Sequence, residues 1–469
     1  MSTKAAEPQR RLLRLFSWCF VVVLVAVATA SSVSASGWVV KSLPGFDGPL
    51  PFYLETGYVE VDKENGAELF YYFVKSESSS SAAAAADDVP FLLWLTGGDR
   101  CSVLSGLAFE IGPVKFVVEP YNGSLPRLQY NQNSWSKVPS SPFQTTPLIC
   151  LSGLDTAGIL GLQATTGGGD SDVSHILFVD SPVGAGFSFS RELRGYDVGD
   201  ISSTLHLYDF LIKWFSDHPE FLTNPFYIGG DSYAGKNCSV SCTDYFRRYF
   251  CCCLLYITDN SISFAVSLYN TCIEAGSRKL PNLKGYLVGN PGTGEIIDYT
   301  SRVPYAHGVG IISDQLYETI LWHCQGQDFF NPSNALCAQA LNTFNNLIDQ
   351  VQKSQILLDK CVYASPVPNI GNKTDVSNGR RTLREEMGAG ELNHPPARPP
   401  VGCMTYGYYL SYFWANDRRT REALGIKKGT VDEWVRCHDK ELPYTTDLGS
   451  VIKYHRNVTT RGYRALVYR

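Results

Sequence analysis

The chain has 469 residues, room for one large domain or two ordinary ones. Its 44% hydrophobic content is enough to bury a sizeable core and argues against a disordered chain. The formal net charge is −5, and the doublets Arg10-Arg11 and Arg380-Arg381 are too short to form a basic stripe, which argues against a nucleic-acid-binding surface.

The N-terminus has the form of a secretory signal over residues 1–35. Arg10, Arg11 and Arg14 supply positive charge, Phe16 to Ala30 is an apolar run, and Val33-Ser34-Ala35 is a small-residue cleavage site. The run is shorter than the roughly 20 residues of a bilayer span, so no membrane partner is expected once the signal is removed. Tyr58 to Val61 and Leu69 to Val74 are predicted antiparallel strands joined by a turn at Asn65-Gly66. Short apolar strands follow at Phe91 to Leu95, Ile176 to Val179, Tyr227 to Gly229, Tyr286 to Val288 and Ala465 to Tyr468. The spacing of Leu205, Leu207, Phe210, Leu211 and Trp214 predicts a helix over Thr204 to Phe215. Strands alternating with helices imply an α/β fold with a mainly parallel sheet, and each strand's polar carboxyl end is where such sheets bind ligands. Residues 313–435 are expected to form a helical cap over that edge.

Two stretches break this rhythm. Residues 139–173 have no periodicity and include Thr165-Thr166-Gly167-Gly168-Gly169; residues 237–272 include the triplet Cys251-Cys252-Cys253. Structureless stretches of this length inside a domain suggest inserted sequence. Setting both aside with the signal leaves six of the fourteen cysteines: Cys101, Cys324, Cys337, Cys361, Cys403 and Cys437. Six is an even number, sufficient for three disulfides in a secreted chain, and no spacing among the cysteines suits a structural metal site.

The sharpest motif is Gly230-Asp231-Ser232-Tyr233-Ala234-Gly235, directly after a strand. A nucleophilic serine on a strand-to-helix turn needs small neighbours, because the turn is strained and the side chain must project from the sheet edge. Thr96-Gly97-Gly98 ends another strand, where backbone N–H groups can face a developing oxyanion.

These motifs, with Leu43-Pro44-Gly45-Phe46, Cys101-Ser102, Asp180 to Ser188 and Gly285 to Pro291, resemble plant serine carboxypeptidase-like proteins of the α/β-hydrolase class. The resemblance spans nearly all of the expected mature chain. It implies Ser232 as nucleophile, the N–H groups of Gly98 and Tyr233 as oxyanion hole, and Thr96, Gly97 and Asp231 as substrate-binding residues. It implies a Cys101–Cys437 disulfide; the even count then leaves Cys324, Cys337, Cys361 and Cys403 expected to pair among themselves. The sequons at Asn122, Asn372 and Asn457 suit glycosylation in the secretory pathway, with an extracellular or vacuolar destination. No metal or cofactor is implied. The partners would be a small-molecule acyl donor and acceptor, or a peptide C-terminus.

That family contains peptidases and acyltransferases. In the peptidases an Asn precedes the Gly-Gly pair and a Glu precedes the nucleophile; Thr96 and Asp231 are similar instead to the acyltransferase branch, which takes acyl groups from glucose esters. Asp99-Arg100 departs from the family's usual Pro-Gly. The family's acid and histidine lie beyond the strand at Ala465 to Tyr468, so this sequence is expected to lack both and to be poorly active as written. His438 and His455 precede that strand and are expected to be surface residues. A truncated inactive paralogue, or the translation of a misassembled gene model, are the alternatives this raises.

Overall fold

The structure is a computed structural model that describes residues 37–77, 89–98, 100–137, 173–234, 238, 281–353, 355–361, 398–438 and 442–468. The signal-like segment, most of both patternless stretches and Asn372 lie outside the described residues. Eight strands make the main path of a mixed sheet: β1 (Trp38–Val40), β2 (Leu54–Asp62), β3 (Ala67–Val74), β4 (Phe91–Leu95), β5 (His175–Val179), β6 (Pro225–Asp231), β7 (Asn282–Gly289) and β8 (Arg464–Tyr468). Their spatial order is β1-β2-β3-β5-β4-β6-β7-β8, with the short strand Phe189–Ser190 paired to β3 off this path. The pairs from β1 to β3 and on to β5 are antiparallel, and those from β5 through β4, β6 and β7 to β8 are parallel. This is the mainly parallel α/β sheet that the strand pattern implied, in the α/β-hydrolase arrangement that the resemblance implied.

The strand period of two divides the core. On β3, Phe70, Tyr72 and Val74 join one cluster, while Leu69, Tyr71 and Phe73 join the other. On β4, Leu92 and Trp94 face the first, and Phe91, Leu93 and Leu95 the second. Helix α1 (Asp200–Asp217) covers the second face with Leu207, Phe210, Leu211, Trp214 and Phe215; Leu205, expected on that face, is only half-buried.

The segment expected to be a cap divides into two parts. Helices α2 (Asp314–His323) and α3 (Ala335–Ile348) form a separate small core with Val303, Ala306 and Ile312, and the Cys324–Cys337 disulfide joins them. Helix α4 (Tyr406–Asn416) instead packs Tyr409, Leu410, Tyr412 and Trp414 into the first sheet cluster, and Trp414 Nε1 donates to Pro44 O at 2.7 Å. The separate helical unit begins by Val303, and the helix at 406–416 with Leu424, Trp434 and Val435 flanks the sheet. The cause is the aromatic load of α4, which is too apolar for a solvated cap and fills the open face of the sheet. Among the described residues, no helix is long and apolar enough to cross a membrane.

Candidate active site

Strand β6 ends at Asp231, and the chain then turns sharply. Ser232 takes φ 53°, a left-handed conformation rare outside glycine, and its side chain is exposed. The turn is over-determined by its neighbours, as such strain requires. Ser232 N donates to Gly289 O at 2.8 Å, and Gly292 N donates to Ser232 O at 2.8 Å, so the end of β7 grips the serine on both sides. Gly230 must lack a side chain, since a Cβ there would lie 2.5 Å from Leu95 O.

The Gly-Gly pair lies directly against the serine. A Cβ on Gly97 would stand 2.5 Å from Ser232 Cβ, and Gly97 N donates to Asp231 Oδ1 at 2.9 Å. Gly98 has φ 87°, and a Cβ there would strike Cys101 Sγ. Cys101 is bridged to Cys437, with Cα atoms 3.9 Å apart, inside the span of about 7 Å that a disulfide can cross. Cys361 is bridged to Cys403. The departure Arg100 is fully buried, donating to the carbonyls of Val183, Tyr196 and Pro443. Its two Nη groups tie the loop after the Gly-Gly pair to three other segments.

A second carboxyl group joins Asp231 at the site. Glu110, at the end of the π-helical turn Gly106–Glu110, accepts from Trp94 Nε1 at 2.9 Å. Burial pushes its pKa upward and the Asp231 charge adds to this, while Trp94 and Arg436 pull the other way. Burial also raises Asp231, against the Gly97 N–H and the Arg436 charge. Two carboxyl groups in one buried place cannot both ionise without strain, so the pair tends to retain a proton near neutral pH. Thr96 Oγ1 is buried and has no hydrogen-bond partner among the described residues. The Tyr468 ring lies over Gly289, and its hydroxyl is pushed up to about 12 by burial and then by the Asp231 and Glu110 charges.

The residues singled out from sequence at 96–98 and 231–233 thus converge at the carboxyl ends of β4 and β6. Glu110, Trp94 and Arg436 were missed. A glutamate inside the apolar run Leu107-Ala108-Phe109 was the available signal for the first; Arg436 reaches the site because its neighbour Cys437 is tied to Cys101. Ser232 Oγ has no hydrogen-bond partner among the described residues, so no described histidine is bonded to it. His455 is not a bare surface residue as expected: it is half-buried, with the Tyr286 hydroxyl bonded to its Nδ1. Of the second patternless stretch, only Cys238 lies among the described residues. Ala234 and Cys238 are helical, and Cys238 is buried in the α1-side core, with Sγ 3.3 Å from where a Gly230 Cβ would sit. At the other stretch, Val173 is buried as well.

The sequence profile described as serine carboxypeptidase matches residues 44–143, 171–240 and 263–469. Its two interruptions fall within the patternless stretches. The chain is 37% identical to serine carboxypeptidase-like 19 of Arabidopsis thaliana, over 92% of this chain and 77% of that protein. It is 33% identical to serine carboxypeptidase-like 7 of the same plant, over 92% and 76%. Among solved structures, a prohormone-processing carboxypeptidase from Saccharomyces cerevisiae shares the fold, with a TM-score of 0.55 at 17% identity, over 92% of this chain and 77% of that one.

Proposed function

The chain belongs to the serine carboxypeptidase family, and on that footing we propose that it moves an acyl group from a glucose ester to an acceptor through an acyl-serine on Ser232. The observation that carries this reading is Ser232 at positive φ beside Gly97 and Gly98, with Thr96 and Asp231 flanking it. Ser232 Oγ would attack the ester carbonyl, and the Gly98 and Tyr233 N–H groups would receive the oxyanion. The sugar departs with a proton, and the acceptor hydroxyl then attacks the acyl-serine. A base must take the serine proton in the first step, since an unassisted hydroxyl is a weak nucleophile. No such base is bonded to Ser232 among the described residues, so we expect the 469-residue chain to acylate slowly.

A second reading, removal of C-terminal residues from peptides, is favoured by one observation: the Glu110 and Asp231 carboxyl groups both have raised pKa values. A pair that keeps a proton can hydrogen-bond a substrate carboxylate without repelling it. A third reading is an inactive relative that binds such ligands. The experiment gives the purified chain an acyl-glucose with an alcohol acceptor, a blocked dipeptide, and a serine-reactive phosphonate, each beside Ser232→Ala. Ester product without peptide cleavage supports acyl transfer, and the reverse supports the peptidase. Turnover of neither, with no Ser232 labelling, would identify the inactive relative.

The three disulfides support a secretory-pathway protein. Asn122 and Asn457 are exposed, as glycosylation would require.

A further inference from the structure

Asp200 opens helix α1 and is completely buried. Its Oδ1 accepts from the Tyr233 hydroxyl at 2.6 Å and from the Tyr444 hydroxyl at 3.0 Å, while Oδ2 accepts from Leu448 N at 3.0 Å. A buried carboxylate is costly unless its lone pairs are satisfied, and these three donors come from two separate segments. Tyr233 is the residue immediately after the nucleophile. Its ring also meets the Tyr444 ring edge-on, 5.9 Å between centroids. The segment carrying Tyr444 is held to the start of α1 on its own account: Tyr444–Thr445 pairs with Val198–Gly199, and Asp447 Oδ1 accepts from Ile201 N at 3.0 Å. A Cβ on Gly199 would lie 2.5 Å from Thr445 O, so the two segments are in backbone contact.

Ser232 itself is fixed through its backbone by Gly289 and Gly292. Tyr233 has a different anchor, its phenol, which reaches back to Asp200. The phenol stays protonated, because burial and then the bond to Asp200 both raise its pKa. With the serine fixed on one side and the phenol on the other, the peptide plane between them has little freedom to rotate. That plane carries the Tyr233 N–H.

We propose that Asp200 is a positioning residue that aims the Tyr233 N–H at the oxyanion pocket through the Tyr233 hydroxyl. This rests on the reading of Ser232 as nucleophile and of Gly98 and Tyr233 as oxyanion donors. In this role Asp200 acts through Tyr233 and through the Tyr444–Leu448 segment that shares its carboxylate.

The test uses phenylboronic acid with the full chain. The serine oxygen adds to boron and releases its proton to buffer, leaving a tetrahedral boronate anion whose hydroxyl occupies the oxyanion position. Boron NMR reads the adduct, and the amide signals of Gly98 and Tyr233 read the two donors separately. In the unaltered chain both amides should shift on adduct formation. Asp200→Asn and Tyr233→Phe should each weaken boronate affinity by about 10- to 100-fold, below the roughly 10²–10³-fold effect of deleting a donor outright. The double variant should be no weaker than the poorer single one, and in all three the Tyr233 shift should shrink while the Gly98 shift persists. Affinity unchanged in Tyr233→Phe, or loss of both amide shifts together, overturns the proposal. If Asp200→Asn does not fold, the Tyr233→Phe arm decides by the same criteria. An unaltered chain that forms no adduct at Ser232 overturns the nucleophile reading itself, and the proposal with it.

Discussion

Thr96 Oγ1 is buried and has no hydrogen-bond partner among the described residues, so the fold carries a desolvation penalty at this atom. Thr96→Val removes the hydroxyl and keeps the branched shape. We expect unfolding free energy to rise by about 1 kcal/mol in a denaturant titration, while affinity for the acyl donor falls. A loss of stability instead would mean that the hydroxyl does have a partner. Glu55 and His218 make the opposite case, a buried pair that is fully satisfied. Glu55 accepts from Tyr53 OH at 2.7 Å, Tyr71 OH at 2.8 Å and His218 Nε2 at 3.0 Å, and His218 Nδ1 lies 2.9 Å from Trp214 O. With Glu55 ionised, both neighbours of the ring only accept, so both ring nitrogens donate and the ring is an imidazolium. Burial works against both charges. The donors from His218, Tyr53 and Tyr71 nevertheless hold Glu55 below its ordinary 4.5, and bonds to Glu55 and Trp214 O hold His218 above its ordinary 6.5. The Glu55 contribution is complete above about pH 4.5 and fades as pH falls through its folded value. The His218 contribution is complete below about pH 6.5 and fades as pH rises through its folded value. Thermal melts against pH should therefore show this pair's full effect in mild acid. His218→Gln should flatten the alkaline limb, and an unchanged limb would show that His218 is not its source.

At the scale of elements, the site is made where strand ends meet. Strands β4 and β6 run parallel, with Gly229 opposite Trp94 and Gly230 opposite Leu95, and this places the Gly-Gly pair beside the elbow. The Cys101–Cys437 bridge closes the same edge from the other side, across 336 residues of chain. Ser102 N donates to Arg436 O at 2.7 Å, and Arg436 lies over the Tyr408 ring of α4, 4.3 Å from its centroid. Replacing Cys101 and Cys437 together by serine should lower unfolding free energy by about 2–5 kcal/mol, measured by denaturant. It should also free Arg436 from the carboxyl pair, so that any pH dependence of ligand binding at the site moves upward. A binding profile that does not move would place Arg436 outside the electrostatics of the pair.

Across the whole molecule, the sheet tolerates the first patternless stretch because the chain leaves and returns at one place. Ser174 N donates to Trp135 O at 3.0 Å, so the flanks are already in contact. The entropy of closing a loop grows only slowly with its length. Joining Val138 directly to Val173 should thus leave the unfolding free energy within about 1 kcal/mol of its original value by denaturant titration. A chain that no longer folds would assign this stretch a place in the core. The second stretch does not separate so cleanly, because Cys238 at its start is packed beneath the elbow.

The strands, helix α1 and the elbow were legible in the sequence because they are local: apolar alternation, a helical stripe and small residues at a turn act within a few positions of one another. Strand β4 spans Phe91–Leu95, as its apolar run implied, and β6 ends at Asp231, one residue before the serine. The tertiary structure alone decided what depends on distant segments meeting. Glu110 enters the site on a π-helical turn, Arg436 arrives through a disulfide spanning most of the chain, and Asp200 reaches Tyr233 across 33 positions. Helix α4 left the expected cap for the sheet because burying its aromatic face there removes more apolar surface from water than a solvated position would.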